Sequence, residues 1–327
     1  MQNFNKRKNF LREDDFSPSL KLIQNLYKKR DFLLKNDERH KNIKTALLIL
    51  GGGMRGVSGG GVVNAFHSLG LNDVFDVVIG VSTGAPIGAY YLAGPEQSAI
   101  GTSIYYQDLP PRFIKYSRTP IADIDFLESI FRIGSKKLDI DAIHSHRSKF
   151  FVAATDAQKG EGVLLNAKTV PDMITAIKAS TAIIGLYNKE VYINGRAYID
   201  GMVGDSFPIK KIINDFNPTD LLIIANRPAY DYKKSGQSIL KSAFERFALR
   251  NVPKHLRQPF LNRHFYHQET LDYLKSQYNL NFGILWAPNN NAHSLTRNSL
   301  KLRALAEASA KKTLAHFGEP DKFIHFP

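Results

Sequence analysis

Short apolar runs that end abruptly in glycine mark the first half of the chain. The run from Thr45 to Leu50 ends in Gly51-Gly52-Gly53, and the run from Val74 to Ile79 ends in Gly80-Val81-Ser82-Thr83-Gly84. Each run has the length and composition of a buried strand, and a helical pattern follows each glycine turn, at 62–69 and from residue 85. Two successive strand, turn and helix units predict an α/β fold with a parallel sheet.

Further apolar runs continue this pattern as far as residue 226. We predict additional strands at 150–155, 162–165, 191–193, 197–199 and 221–225. We predict helices at 172–180 and 208–216. The sequence therefore predicts one α/β domain over residues 45–226.

The two ends of the chain differ from this domain in charge and in predicted secondary structure. Residues 1–44 form a charged basic leader with one helix expected around Ser19 to Lys35, and they lack the apolar core that a secretory signal needs. Residues 227–327 are predicted to be a mainly helical basic region, with one strand at 282–286 and a final helix at 294–317.

Charge and composition narrow the function classes. The 327 residues include 43% apolar residues, 44 Lys or Arg, 30 Asp or Glu and no cysteine, which excludes disulfides, a thiol nucleophile and cysteine-ligated metals. The formal charge of +14 favours an anionic partner such as an acidic membrane surface. No apolar run approaches the ~20 residues that cross a bilayer. We expect a cytoplasmic protein with peripheral membrane contact, while export by a route other than Sec stays open.

The sequence Gly80-x-Ser82-x-Gly84 between a strand and a helix matches a nucleophile elbow. In such an elbow a sharp turn presents the serine hydroxyl at the edge of the sheet, and the glycines allow the strand and helix to approach closely. The alternative is an ordinary turn in which Ser82 caps the following helix.

The segment Gly51-Gly52-Gly53-Met54-Arg55-Gly56 leaves the first strand and enters a helix, so its backbone N–H groups form an anion site. It also fits a dinucleotide fingerprint, with Asp73 or Asp76 about 20 residues further on as the ribose-binding acid. That alternative leaves Ser82 unexplained, and it requires an acid at the end of the second strand, whereas Asp76 precedes the second glycine turn.

Both glycine turns belong to one site if their strands are neighbours, because ligands bind at the carboxyl ends of parallel strands. The amides of Gly52 and Gly53 would then stabilise an oxyanion beside Ser82, where a missing donor costs about 3 kcal/mol of barrier.

An activated serine needs a base, and the eight histidines after Ser82 lie in charged or basic segments, so we expect them to be surface residues. Asp200 ends a short apolar run and is followed by Gly201. Burial would raise the pKa of its carboxyl and make it a better base. The alternative is a simple Asp-Gly turn.

Together, GGGMRG at 51–56, GVSTG at 80–84 and the late Asp200-Gly201 resemble the bacterial branch of the patatin-like phospholipase family. The segments ATDAQKGEGVLLN (154–166) and KASTAIIGLY (178–187) resemble the family's sequences before its catalytic aspartate. The resemblance implies a three-layer α/β/α fold with a central, mostly parallel sheet. It also implies Ser82 as nucleophile, Asp200 as general base, Gly52 and Gly53 as the oxyanion site with Arg55 nearby, and acyl-ester hydrolysis on lipids.

Two departures from the family pattern stand beside these residues. Met202 follows Gly201 where the family usually has glycine or alanine, and Ile184 replaces a usual proline. Asp205 is a fallback base. We expect a phospholipid or other acyl-ester lipid substrate, no metal, no cofactor and no nucleic-acid partner, and the oligomeric state is not predicted. The remaining alternatives are a nucleotide- or phosphate-binding protein and a catalytically silent lipid-binding protein.

Overall fold

The computed structural model describes residues 16–115, 120–187, 189–229, 249 and 252–327. The first part of the predicted basic leader and the basic stretch at 230–248 lie outside these residues.

A central sheet organises the described part of the chain. Its strands are β1 (Thr45–Ile49), β2 (Val77–Val81), β3 (Lys149–Asp156), β4 (Gly162–Asn166), β5 (Val191–Ile193), β6 (Arg196–Asp200), β7 (Asp220–Ala225) and β8 (Asn281–Trp286). Strands β3, β2, β1, β7 and β8 are parallel neighbours in that order, whereas β4, β5 and β6 pair antiparallel at the β3 end. The sheet is therefore mostly parallel, as predicted.

Helices cover both faces of this sheet. They are α1 (Leu20–Leu34), α2 (Gly56–Ser68), α3 (Gly84–Leu92), α4 (Pro95–Gln107), α5 (Leu109–Arg112), α6 (Ile124–Arg132), α7 (Ile140–Ser145), α8 (Met173–Thr181), α9 (Ile209–Phe216), α10 (Lys254–Lys275) and α11 (Ser299–His316). Alternate residues of β1 enter different cores: Leu47 and Ile49 pack with α2, α3 and α8, while Ala46 and Leu48 pack with α9 and α10. This arrangement confirms the three-layer α/β/α fold.

The helix predicted at 62–69 begins six residues earlier, at Gly56, and its glycines lie in close contacts between elements. A Cβ at Gly60 would lie 2.9 Å from the Thr102 methyl carbon of α4, and one at Gly61 would collide with the carbonyl oxygen of Ala306 in α11. Tertiary packing thus outweighs the low helix propensity of glycine here.

The second strand also ends later than predicted. It runs to Val81 instead of Ile79, because Gly80 belongs to the strand and not to the turn. A Cβ at Gly80 would collide with the Cα of Ala85, so the missing side chain lets α3 return over the end of β2.

The C-terminal region contributes to the same layers. Strand β8 pairs in parallel with β7 along its whole length, and α11 packs on α2, where the Ser58 and Ser309 hydroxyls lie 2.8 Å apart. The division at residue 226 stays a prediction. Among the described helices, none combines the length and apolarity needed to cross a membrane.

Candidate active site

Ser82 occupies a strained turn between β2 and α3. Its φ of +53° lies in the left-handed region that residues with a side chain rarely adopt. The turn is possible because Gly84 begins α3 directly against β1, where a Cβ would collide with the carbonyl oxygen of Ile49. The geometry is that of a nucleophile elbow.

Strand register brings Asp200 to this turn. On one edge of β3 lies β4, which pairs along residues 151–155. The other edge of β3 pairs with two strands in turn. Residues 149–153 pair with β2, where Ala153 lies opposite Val81, and residues 154–156 pair with β6, where Ala154 lies opposite Asp200. Since β2 and β6 run in opposite directions along one edge, their carboxyl ends meet, and the residue after Val81 faces Asp200.

The two side chains form a direct hydrogen bond. The Ser82 hydroxyl donates to Oδ2 of Asp200 at 2.6 Å, and the backbone N–H of Met202 donates to Oδ1 at 2.8 Å. The backbone of Asp200 is held as well, since its N–H donates to the Ala182 carbonyl and its carbonyl accepts from the Thr155 hydroxyl. Both carboxylate oxygens therefore have fixed partners.

Burial changes the acidity of this carboxyl. Asp200 is 1% exposed, and the loss of hydration raises the pKa of its carboxyl to about 7, from an ordinary value of about 3.9. The hydrogen bonds from Ser82 and from the Met202 amide act in the opposite direction, because they stabilise the carboxylate. A pKa near 7 suits a group that exchanges protons near neutral pH.

The glycine loop lies against the serine. A Cβ at Gly51 would lie 2.9 Å from the Cβ of Ser82, and one at Gly52 would lie 2.7 Å from the Cβ of Asn226. Gly53 has a φ of +61° and packs against the backbone of Ser294. Side chains are therefore excluded from all three positions, and the backbone of the loop packs closely against its neighbours.

Several amides of the predicted anion loop are used within the fold. The N–H of Met54 donates to the Ser294 carbonyl, that of Arg55 to the Gly52 carbonyl and that of Gly56 to the Gly53 carbonyl. The Met54 side chain is fully buried in the core. Of the predicted loop donors, Gly52 and Gly53 are thus the better candidates for an oxyanion.

Sequence reasoning missed three residues that hold the site. Asn226, directly after β7, accepts from the Gly59 N–H at 2.7 Å and donates to the Leu50 carbonyl at 2.6 Å, which fastens the glycine loop to α2. Ser294 anchors the outer side of the loop, and Ser180 accepts from the backbone N–H of Ser82. Asn226 could have been predicted, because it is a polar residue at the carboxyl end of a buried strand. Ser180 lies in the family-like segment at 178–187, but its own role was not indicated there.

The acids of the dinucleotide alternative lie at the wrong end of the sheet. Asp76 precedes β2, where its carboxylate binds Lys29, the Thr45 N–H and Arg147. The carboxylate of Asp73 lies 3.3 Å from Nε2 of His146 nearby. The glycine loop is at the opposite, carboxyl end of the strands, so neither acid can share a ligand with it.

The other candidate bases are also engaged elsewhere. Asp205 forms an ion pair with Lys211 at 3.0 Å, and the Ser82 hydroxyl binds Asp200 instead. The expectation that the later histidines lie on the surface is wrong for His267, which is 7% exposed, with its Nε2 2.8 Å from the Ser206 hydroxyl.

Gly201 and Met202 shape the turn after the base. A Cβ at Gly201 would lie 2.5 Å from the Ala153 carbonyl oxygen, which explains the glycine. The Met202 side chain lies beside Gly51, with its sulfur 2.8 Å from the position that a Cβ there would occupy. The departure from the family pattern at residue 202 thus places a long side chain next to the serine and the glycine loop.

The strained serine elbow, the buried aspartate at 2.6 Å and the glycine loop all lie within residues 51–202 of the three-layer fold. The family model described as patatin-like phospholipase matches residues 47–213, just over half of the chain. The chain belongs to the patatin-like phospholipase family.

Individual relatives are more distant. The protein YjjU of Escherichia coli strain K12, which is described as uncharacterized, is 27% identical over 195 residues that cover 58% of this chain and 54% of YjjU. The chain thus matches about half the length of this curated relative.

Two solved structures are similar at 12% sequence identity. The structure of VipD from Legionella pneumophila has a TM-score of 0.43, with 84% of this chain and 67% of that chain covered. The structure of the type III effector protein ExoU has a TM-score of 0.38, with coverages of 86% and 54%.

Proposed function

We propose that this chain is a lipid acyl hydrolase, a phospholipase A-type esterase that uses Ser82 and Asp200 as a catalytic dyad. The observation that carries the proposal is the buried hydrogen bond of 2.6 Å from the Ser82 hydroxyl to Asp200. Family membership supports lipid esters as the substrate class.

In the first half of the reaction, Ser82 Oγ bonds to the ester carbonyl carbon and its proton moves to Oδ2 of Asp200. The carbonyl oxygen becomes an oxyanion, which the amides of Gly52 and Gly53 stabilise. When this intermediate collapses, the bond to the leaving alcohol breaks, and Asp200 returns the proton to that alcohol.

In the second half, Asp200 accepts a proton from water as the water oxygen attacks the acyl carbon on Ser82. Collapse breaks the bond to Ser82 Oγ, which regains its proton, and the fatty acid leaves. Both steps use the carboxyl as a base, and its pKa of about 7 leaves it substantially ionised at neutral pH.

Hydrolysis of phosphatidylcholine in mixed micelles tests this proposal. Ser82→Ala and Asp200→Asn should each reduce kcat at least about a thousandfold, because each removes a reacting group. Ser129→Ala is the matched control, since Ser129 is exposed on α6 and should retain full activity. Fatty-acid release that persists in Ser82→Ala would refute the nucleophile.

The same variants separate the alternatives. A nucleotide- or phosphate-binding protein that used the glycine loop would keep its ligand affinity in Ser82→Ala. A catalytically silent lipid-binding protein would bind lipid vesicles but release no fatty acid in any variant.

We further propose that the basic C-terminal region at 227–327 holds the enzyme at an anionic lipid surface. Its support is the excess of nine Lys or Arg over three Asp or Glu between residues 233 and 275, because each cation near an acidic bilayer is worth about 1 kcal/mol. Sedimentation with phosphatidylserine vesicles should decline steeply with salt. Replacement of the exposed Lys254 and Lys275 by glutamine should weaken it in a protein that still folds, and unchanged binding would discard this role.

A further inference from the structure

Both members of the dyad are closed off from solvent. Ser82 is 0% exposed and Asp200 is 1% exposed. An ester carbonyl must reach Ser82 Oγ at bonding distance, so some neighbouring side chain has to move before the reaction proposed above can begin.

A cavity of about 310 Å³ lies beside the turn that follows Asp200. Its walls come from that turn, from the β3–β4 connection and from α9 and α10, and its lining residues include Gly160, Met202, Val203, Phe207, Pro259 and Thr270. This volume is at the small end of the range for ligand pockets, so it suits one short chain.

Met202 is the residue that the cavity and the dyad share. Its backbone N–H donates to Asp200. A Cβ placed on Gly51 would lie 2.8 Å from the Met202 sulfur, 3.3 Å from the Met202 Cγ and 2.9 Å from the Ser82 Cβ, so Gly51 lies between the two side chains. The side chain is only partly buried, and methionine has three rotatable bonds, so it can move at low cost.

The charged groups of the cavity wall are paired. Lys210 binds Glu269 at 2.9 Å, and Asp205 binds Lys211 at 3.0 Å. Lys210 and Glu269 are both more than half exposed, so this pair lies at the rim of the cavity. The remaining lining combines four apolar side chains (Met202, Val203, Phe207 and Pro259) with two glycines and the hydroxyls of Ser206 and Thr270. An uncharged chain therefore fits this cavity better than a charged head group, whose desolvation would need an unpaired partner.

We propose that this cavity binds the acyl chain that is cleaved from the ester and that Met202, which lines the cavity and lies beside Gly51, determines which chains are accepted. The inference rests on the proposed hydrolase function and names its substrate class. The Met202 side chain turns away from Gly51 when a chain enters, and the ester carbonyl then reaches the serine.

The selectivity between two esters tests this role. The ratio of kcat/KM for p-nitrophenyl octanoate to that for p-nitrophenyl acetate should rise about fivefold or more in Met202→Ala, because only the octanoyl chain has to enter the cavity past residue 202 and its rate therefore gains more. Met202→Leu conserves volume and should change the ratio less than Met202→Ala. Phe323→Ala, at an 86% exposed position, should change neither rate.

A second substitution locates the effect in the cavity. Thr270→Trp, added to Met202→Ala, fills the wall formed by α10 and should return the ratio toward its original value. A ratio that Met202→Ala leaves unchanged, in a protein that still hydrolyses the acetate ester, would overturn the acyl site while leaving the hydrolase intact.

Binding can also be observed without turnover. The four methionines are Met1, Met54, Met173 and Met202, so methyl-¹³C labelling of the Ser82→Ala protein gives few signals, and Met202→Leu assigns the relevant one. Saturable movement of the Met202 signal with 1-octanoylglycerol, and an unmoved Met173 signal, would support the site. If the chemical shift of Met202 changes but no variant hydrolyses any ester, the result supports the acyl site and contradicts the hydrolase function. An unmoved Met202 signal at saturating lipid would overturn the acyl site.

Discussion

The backbone N–H of Ser82 donates a hydrogen bond of 3.0 Å to the Ser180 hydroxyl, and both residues are fully buried. Ser180 lies near the end of α8, and the next turn supplies the Ala182 carbonyl that accepts from the Asp200 N–H at 3.1 Å. The end of α8 therefore contacts the backbone of both dyad members. We interpret Ser180 as a positioning residue for the strained elbow.

Ser180→Ala should reduce kcat about tenfold with little change in KM. The substitution leaves a buried N–H without its acceptor, which costs about 1–3 kcal/mol and loosens the turn that presents the nucleophile. Steady-state kinetics with a soluble ester measures both parameters, and Ser129→Ala again serves as the control. An unchanged kcat would show that the strained turn holds without this bond.

Activity should depend on pH through the carboxyl of Asp200. Because burial raises its pKa to about 7, the base is protonated and unable to accept the serine proton in acid. We expect kcat/KM to rise about tenfold per pH unit below pH 7 and to level off above it. A profile from pH 5 to 9 checks this expectation, and a flat profile between pH 5 and 7 would argue against Asp200 as the base.

The same carboxyl should make the protein less stable at higher pH. Between about pH 4 and pH 7 the native state retains a proton that the unfolded state has released, so unfolding free energy falls as pH rises and the loss is complete above pH 7. Asp200→Asn removes this term. The unfolding free energy of Asp200→Asn minus that of the unmodified protein, measured with urea, should therefore increase by up to about 4 kcal/mol between pH 4 and pH 8. A constant difference would contradict the raised pKa.

Asn226→Ala should destabilise the glycine loop. The substitution leaves the Gly59 N–H and the Leu50 carbonyl without their partners, at a combined cost of about 2–4 kcal/mol. Thermal unfolding should occur several degrees lower, and kcat/KM should fall because the proposed oxyanion donors lose their anchor. Asn279→Ala, at an exposed position, is the control. Equal stability of the two variants would remove Asn226 from this role.

Local patterns were sufficient to predict the parts of the site that one stretch of chain builds. The elbow at Ser82 and the glycine loop each follow a strand directly, so their sequence order carries their geometry. The end of β2 was misplaced because glycine usually marks a turn, whereas Gly80 stays in the strand to admit α3.

Contacts between distant segments were harder to predict. The meeting of Ser82 and Asp200 depends on β2 and β6 sharing one edge of β3, and neither segment alone indicates this register. For the same reason Asp200 was assigned from the family resemblance and not from spacing. Ser180 lies in the segment at 178–187 that resembles the family, but nothing in that segment singles it out, and Ser294 had no sequence signal. Their roles arise only when α8 and the loop before α11 reach the site.

The covalent reaction of Ser82 with a fluorophosphonate is the most direct test of the dyad. Intact-protein mass spectrometry and peptide mapping should find a single adduct on Ser82, at a rate that rises as Asp200 loses its proton near pH 7. Labelling should be lost in Ser82→Ala and slowed at least about a hundredfold in Asp200→Asn. An adduct on another residue, or an Asp200→Asn rate equal to that of the unmodified protein, would contradict the account.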